Sequence, residues 1–236
     1  IMKKTSQIAD KITVIRSMVS GFPLHPRANL LMHTGRNGGG YPSLGSWVNY
    51  ALGSENKNLP GYVLLHAGAV PPGGLENFSN GFLQATYQAT PMQAEGKPVV
   101  NIEPADKNPK IQRAKLDALL QEDQQFLKSI RNDDAVDSAI QNYELAYKMQ
   151  SSVPDVLNLD KESEATKRLY GLDATDQNKR LYSTQCLRAR KLIESGVRFV
   201  EITCPEVYGS NNGTWDQHSE LKKGHEGNAF ITDQGI

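Results

Sequence analysis

The sequence predicts an α/β protein: a mostly parallel sheet flanked by helices, with a helical hairpin inserted into it. Short β-type runs alternate with helical runs in the first and last thirds, the order that yields a parallel sheet. Two long stretches of helical periodicity lie side by side between them. The 20 Gly and 12 Pro punctuate the 236 residues rather than gathering into a low-complexity tract, so one large core is expected.

A polar helix is expected up to about Lys11, followed by a first buried strand over Ile12–Met18, a run rich in β-branched residues. The turn from Phe22 to Pro26 leads into a helix through Ala28, Leu30, Leu31 and Met32 that stops at Gly35. Ser43 can cap a helix carrying Leu44, Trp47, Val48 and Leu52, closed by Gly53, and Tyr62–His66 is the second strand. Residues 68–108, rich in Gly, Pro, Asn and Gln, are expected to form a loop-rich insertion over one face.

Helical spacing of Leu116, Leu119, Leu120, Leu127 and Ile130, then of Val136, Ile140, Tyr143 and Tyr147, predicts a helical hairpin over 109–150. The break at Arg131-Asn-Asp-Asp134 offers an N-cap. A short helix over Glu162–Tyr170 and a longer one over Thr175–Ser195 precede the third strand, Val197–Cys204. Residues 1–236 are thus one domain.

Lys plus Arg (26) equals Asp plus Glu (26), which leaves no global field to hold nucleic acid. No apolar run approaches the roughly 20 residues that span a bilayer, and Ile1–Lys4 lacks a signal-type apolar core. Cys186 and Cys204 have no CxxC spacing; they read as two buried thiols, with a disulfide or metal site as the alternative.

In parallel sheets ligands bind beyond the carboxyl ends of the strands. That rule selects Ser17 and His25 after the first strand, His66 at the end of the second, and Glu206, Asp216 and His218 after the third. Asp216 and His218 offer a carboxylate oxygen and an imidazole nitrogen two residues apart, a donor pair suited to a divalent ion. Equally, Asp216 can cap the following turn and His218 can be a surface residue. His25, between Pro23 and Pro26, is a ligand, a general base, a phosphate-binding group or a plain turn histidine. His33 and His225 have no ligand-type neighbour in sequence and are not selected. Gly38-Gly-Gly40 lacks the context of a phosphate loop, and Pro71-Pro-Gly-Gly74 reads as a surface turn or a close approach to ligand.

Several segments together carry a resemblance: Thr13–Met18, His25–Gly35, Pro42–Trp47, Ser79–Phe82, Tyr143–Gln150, Glu164–Gly171, Cys186–Val200 and Trp215-Asp-Gln-His218. The chain resembles the family catalogued as domain of unknown function 1501, grouped with alkaline phosphatases and sulfatases. The resemblance implies an alkaline-phosphatase-like fold and an exported, periplasmic or extracellular protein. It also implies a site for phosphate or sulfate esters, small-molecule or glycan, that depends on a divalent ion such as zinc, calcium, magnesium or manganese. On it, Asp216 and His218 match a Trp-Asp-x-His motif and are expected to hold metal, His25 to be catalytic and His66 to bind substrate.

The family's upstream acidic strand motif, its Gly-Gly-Glu-Phe-Gly-Arg segment and its Asp-His-Asn segment are not in these 236 residues. The expectation is therefore a truncated domain, with both sheet edges cut away and no turnover by this chain alone. Thr34-Gly-Arg36 matches the end of a sulfatase helix, but no Cys or Ser stands in a Cys/Ser-x-Pro-x-Arg motif before it. The expected function is a metal-dependent ester hydrolase; the alternative is a non-catalytic, envelope-associated binding or structural protein that keeps the fold.

Overall fold

A computed structural model describes residues 1–67, 70–100, 102–104, 106, 108–129, 133–205 and 215–236. Its centre is a parallel three-stranded sheet in the order β2-β1-β3, with β1 at Tyr62–His66, β2 at Thr90–Gln93 and β3 at Phe199–Ile202. Both ladders are in register, Leu64 standing opposite Pro91 on one side and Glu201 on the other. The predicted class, α/β with a parallel sheet, is what the chain forms.

The helices are α1 (His25–Thr34), α2 (Leu44–Leu52), α3 (Pro109–Ser129), α4 (Asp134–Leu157), α5 (Glu164–Tyr170), α6 (Gln177–Glu194) and α7 (Leu221–Thr232). Their ends follow local chemistry. Gly35 (φ 72°) and Gly171 (φ 87°) close α1 and α5 in the left-handed conformation that a Cβ disfavours. Asp133, Ser163 and Asp176 accept backbone N–H groups at the starts of α4, α5 and α6. Among the described residues no helix is long and apolar enough to cross a membrane.

Two strand expectations need correction. Ile12–Met18 is not a strand: Val14, Ile15 and Met18 are 72%, 65% and 68% exposed, and the run pairs with nothing in the sheet. A β-branched run without a neighbouring edge to pair with gains no ladder. Conversely, the expected loop-rich insertion over 68–108 contains β2 and a 3₁₀ turn at Gly74–Phe78. α3 and α4 run antiparallel, clamped by Arg113 on Glu144 and Gln112 on Gln150. α4 continues through Pro154 to Leu157, because Met149, Val153 and Leu157 are buried in the core. Glu206, Ile130 and the Arg131-Asn132 link lie outside the described residues.

Strand alternation divides the sheet into two faces. Val63, Leu65 and Met92 look into the main core with Val153, Leu157 and Leu192 of α4 and α6. Tyr62 and Leu64 form a smaller cluster with Phe78 and Ala89, against which Phe199 packs. Glu201 shares that second face, a charged residue opposite Leu64.

The two sheet edges differ. On the outer side of β2, Pro91 has no N–H, and the Gln93 N–H bonds to the Pro98 carbonyl. On β3, Phe199 and Thr203 donate inward to β1, so the backbone N–H groups of Val200 and Ile202 face away from β1, where they find no backbone partner among the described residues.

Candidate metal centre and its cavity

His25 opens α1, where Pro26 pre-sets the first helical turn. Asp216 and His218 follow β3 at the same end of the sheet. Trp215 anchors them: its ring meets His225 of α7 edge-on at 5.8 Å. His225 is itself tied to its own helix through Nδ1 and the Leu221 carbonyl, 2.9 Å apart. Glu220, just after the motif, has φ 49°, a left-handed conformation that costs a non-glycine residue about 1–2 kcal/mol. That turn carries the chain from the motif into α7.

These anchors bring three donors together. His25 Nε2 lies 3.2 Å from Asp216 Oδ2, and His218 Nε2 lies 2.9 Å from the same oxygen. All three ligand atoms fall within 4.8 Å of one another. Two imidazole nitrogens and one carboxylate oxygen make a donor set suited to zinc, manganese or iron. The donor chemistry therefore fits a divalent ion. Without one, the same carboxylate can accept hydrogen bonds from both rings.

The cluster sits at the mouth of a cavity of about 630 Å³, lined by His25, Asn29, His33, Glu201, Thr203 and Asp216 among others. Two of these escaped the sequence reading. His33 Nδ1 lies 2.9 Å from Glu201 Oε1, and Tyr62 donates its hydroxyl to Glu201 Oε2 at 2.7 Å. Tyr62 is fully buried; burial, and then the neighbouring Glu201 charge, push its phenol far above the ordinary value, so it stays a donor. The available signal was Glu201 itself, an acid in the middle of an apolar strand, which needs a partner to be placed there.

His66 is not brought to this cluster. It ends β1 opposite Gln93 and lines a separate cavity of about 320 Å³ with Gln93, Ala94, Glu95 and Leu181. The one carboxyl edge of the sheet thus carries two cavities, one beside β3 and one beside β2. Pro71 and Pro72 wall the larger one, and buried Asn77 holds their turn by donating to the Pro72 and Gly74 carbonyls. Gly38–Gly40 is latched elsewhere, through the Gly40 N–H on Glu76. Burial pushes the Cys186 thiol up to about 12 and raises Cys204 as well; both are free cysteines.

No curated protein and no solved structure matches the chain at a significant level. A family does: the one described as protein of unknown function (DUF1501) matches residues 1–236, the whole of the chain, which therefore belongs to that family.

Proposed function

We propose that the protein is a metal-dependent hydrolase of phosphate or sulfate esters with an alkaline-phosphatase-like arrangement. The observation that carries this reading is the convergence of His25, Asp216 and His218 on one point at the mouth of a cavity, beyond the carboxyl end of β3. His25, selected from the sequence as the catalytic group, supplies the third donor in this reading. A bound divalent ion supplies Lewis-acid charge for the ester oxygen and the attacking group.

The chain's own residues do the rest. The ring nitrogens of His25 and His218 and the carboxylate oxygen of Asp216 meet at a common point. Trp215 packs on His225 beside the pair, and Pro71 and Pro72 wall one side of the cavity. A small-molecule or glycan ester is the substrate class, and export belongs to the same proposal, supported by the resemblance alone. No reading through nucleic acid is supported, since the charges balance.

One observation favours the alternative, a non-catalytic envelope-associated protein: His25 and His218 are 57% and 66% exposed, wetter than most catalytic centres. Two measurements on the full-length protein separate these readings. After loading with zinc or manganese and desalting, one ion per chain is expected, falling to background in Asp216→Ala; equal occupancy removes the ligand assignment. Metal-dependent turnover of aryl phosphates or aryl sulfates, lost in the same variant, supports the hydrolase; metal bound without any turnover supports the alternative.

A further inference from the structure

Beside the three donors the cavity holds a second array, Tyr62–Glu201–His33, which metal binding does not require. Its parts come from three elements. Tyr62 is on β1, Glu201 on β3 and His33 in the last turn of α1, which packs on the Gly74–Phe78 turn. The His33 ring is held on two sides, edge-on to Phe78 at 5.0 Å and through Nδ1 to Glu201 at 2.9 Å. Glu201 is held in turn by the buried Tyr62 hydroxyl at 2.7 Å. Both His33 and Glu201 are only 20% and 24% exposed at the side chain, yet both line the cavity.

A surface ion pair is loosely held and of little consequence. This one is different in kind. One imidazole nitrogen faces a carboxylate that is itself positioned by a buried donor, and the ring lines the cavity with no hydrogen bond to its other nitrogen, Nε2, among the described residues. A carboxylate on Nδ1 fixes that nitrogen as the protonated one, so Nε2 carries the lone pair. Base oriented by acid, acid oriented by a third group, and open nitrogen on a cavity: this is the arrangement by which a histidine is prepared for proton transfer.

We propose that His33 is the general base of this site, with Glu201 and Tyr62 as its positioning residues. The assignment rests on the hydrolase reading above. In the step it serves, a water O–H bond breaks and its proton passes to His33 Nε2 as the water oxygen bonds to phosphorus or sulfur. The bond from that atom to the ester oxygen breaks, and the departing oxygen takes the proton from the imidazolium. Atoms and charge balance with no redox partner.

The test has two arms on the full-length protein. Long-range proton–nitrogen NMR of ¹⁵N-histidine protein reads the tautomer: the Nδ1–H form is expected for His33, giving way to a mixture in Glu201→Gln. An Nε2–H form in the wild type, or no change in Glu201→Gln, overturns the assignment. Kinetically, His33→Gln is expected to keep its metal and its KM while kcat falls about 10²- to 10⁴-fold, the usual contribution of a general base. Wild-type kcat in His33→Gln with metal retained overturns the base alone and leaves the hydrolase standing. Absence of any turnover in the metal-loaded wild type removes the hydrolase reading, and this base with it. Should His33→Gln fold poorly, His33→Asn serves the same comparison.

Discussion

Gly45, in the first turn of α2, tests how tightly the fold holds the Tyr62 hydroxyl. A Cβ added there would stand 2.5 Å from Tyr62 Cζ and 2.6 Å from both Cε atoms, well inside van der Waals contact. Those atoms form the hydroxyl end of a ring that is fully buried, so relief must move the hydroxyl away from Glu201. Overpacking costs about 1–3 kcal/mol, and a rigid buried ring places this case near about 3. Alanine's better helix propensity returns about 1 kcal/mol. The net loss is about 2 kcal/mol, a melting temperature lower by about 4–8 °C for a chain of this size. Differential scanning fluorimetry or calorimetry reads it, with Gly21→Ala as control, because no atom lies within 4 Å of a Cβ there. Tyr62→Phe should cost less in the Gly45→Ala background than in the wild type, since the hydrogen bond is already strained. A Gly45→Ala protein that melts at or above the wild-type temperature refutes the packing argument.

Two other predictions concern ionisation. Burial alone would raise the Asp233 carboxyl, but the backbone N–H groups of Lys4 and Thr5 and the Thr5 hydroxyl outweigh it and hold the group below its usual value. Its stabilisation is complete above the unfolded value of about 3.9 and is lost as pH falls through the lower folded value. Asp233→Asn should therefore cost about 1–3 kcal/mol in urea unfolding at pH 7, a gap that narrows as pH falls below the unfolded value; a gap that widens as pH falls refutes the linkage. With Cys186 pushed up to about 12 and Cys204 raised, both by burial, iodoacetamide at pH 8 should leave both thiols largely unmodified until urea is added. For Cys186 the slowing is about a thousandfold against a free thiol, and mass spectrometry showing rapid labelling of the folded protein contradicts it.

Most helices were legible in the sequence because their ends are written locally. Gly35, Gly53 and Gly171 mark stops, and Asp133 marks a start, independently of anything distant. β1 and β3 were legible too, as short apolar runs after turn signals. β2 was not: four residues containing Pro91 look like loop, and only its place at a sheet edge lets a proline sit there. Ile12–Met18 misled for the opposite reason, since its composition suits a strand but pairing depends on partners far along the chain. At the site, Asp216 and His218 stand two residues apart and could be weighed together. His33 and Glu201 are separated by 168 positions and meet only through the packing of α1 over the sheet. Their relation is tertiary, and no local spacing carries it.

The unequal margins of the sheet have a consequence for assembly. Beyond β2 lateral growth is stopped, one residue lacking a donor and the next having spent its own on a nearby turn. Beyond β3 the backbone of Val200 and Ile202 has no partner among the described residues. Among the described residues, a strand from another molecule has this one edge on which to pair. That edge belongs to the strand bearing Glu201, so whatever docks there becomes a neighbour of the larger cavity.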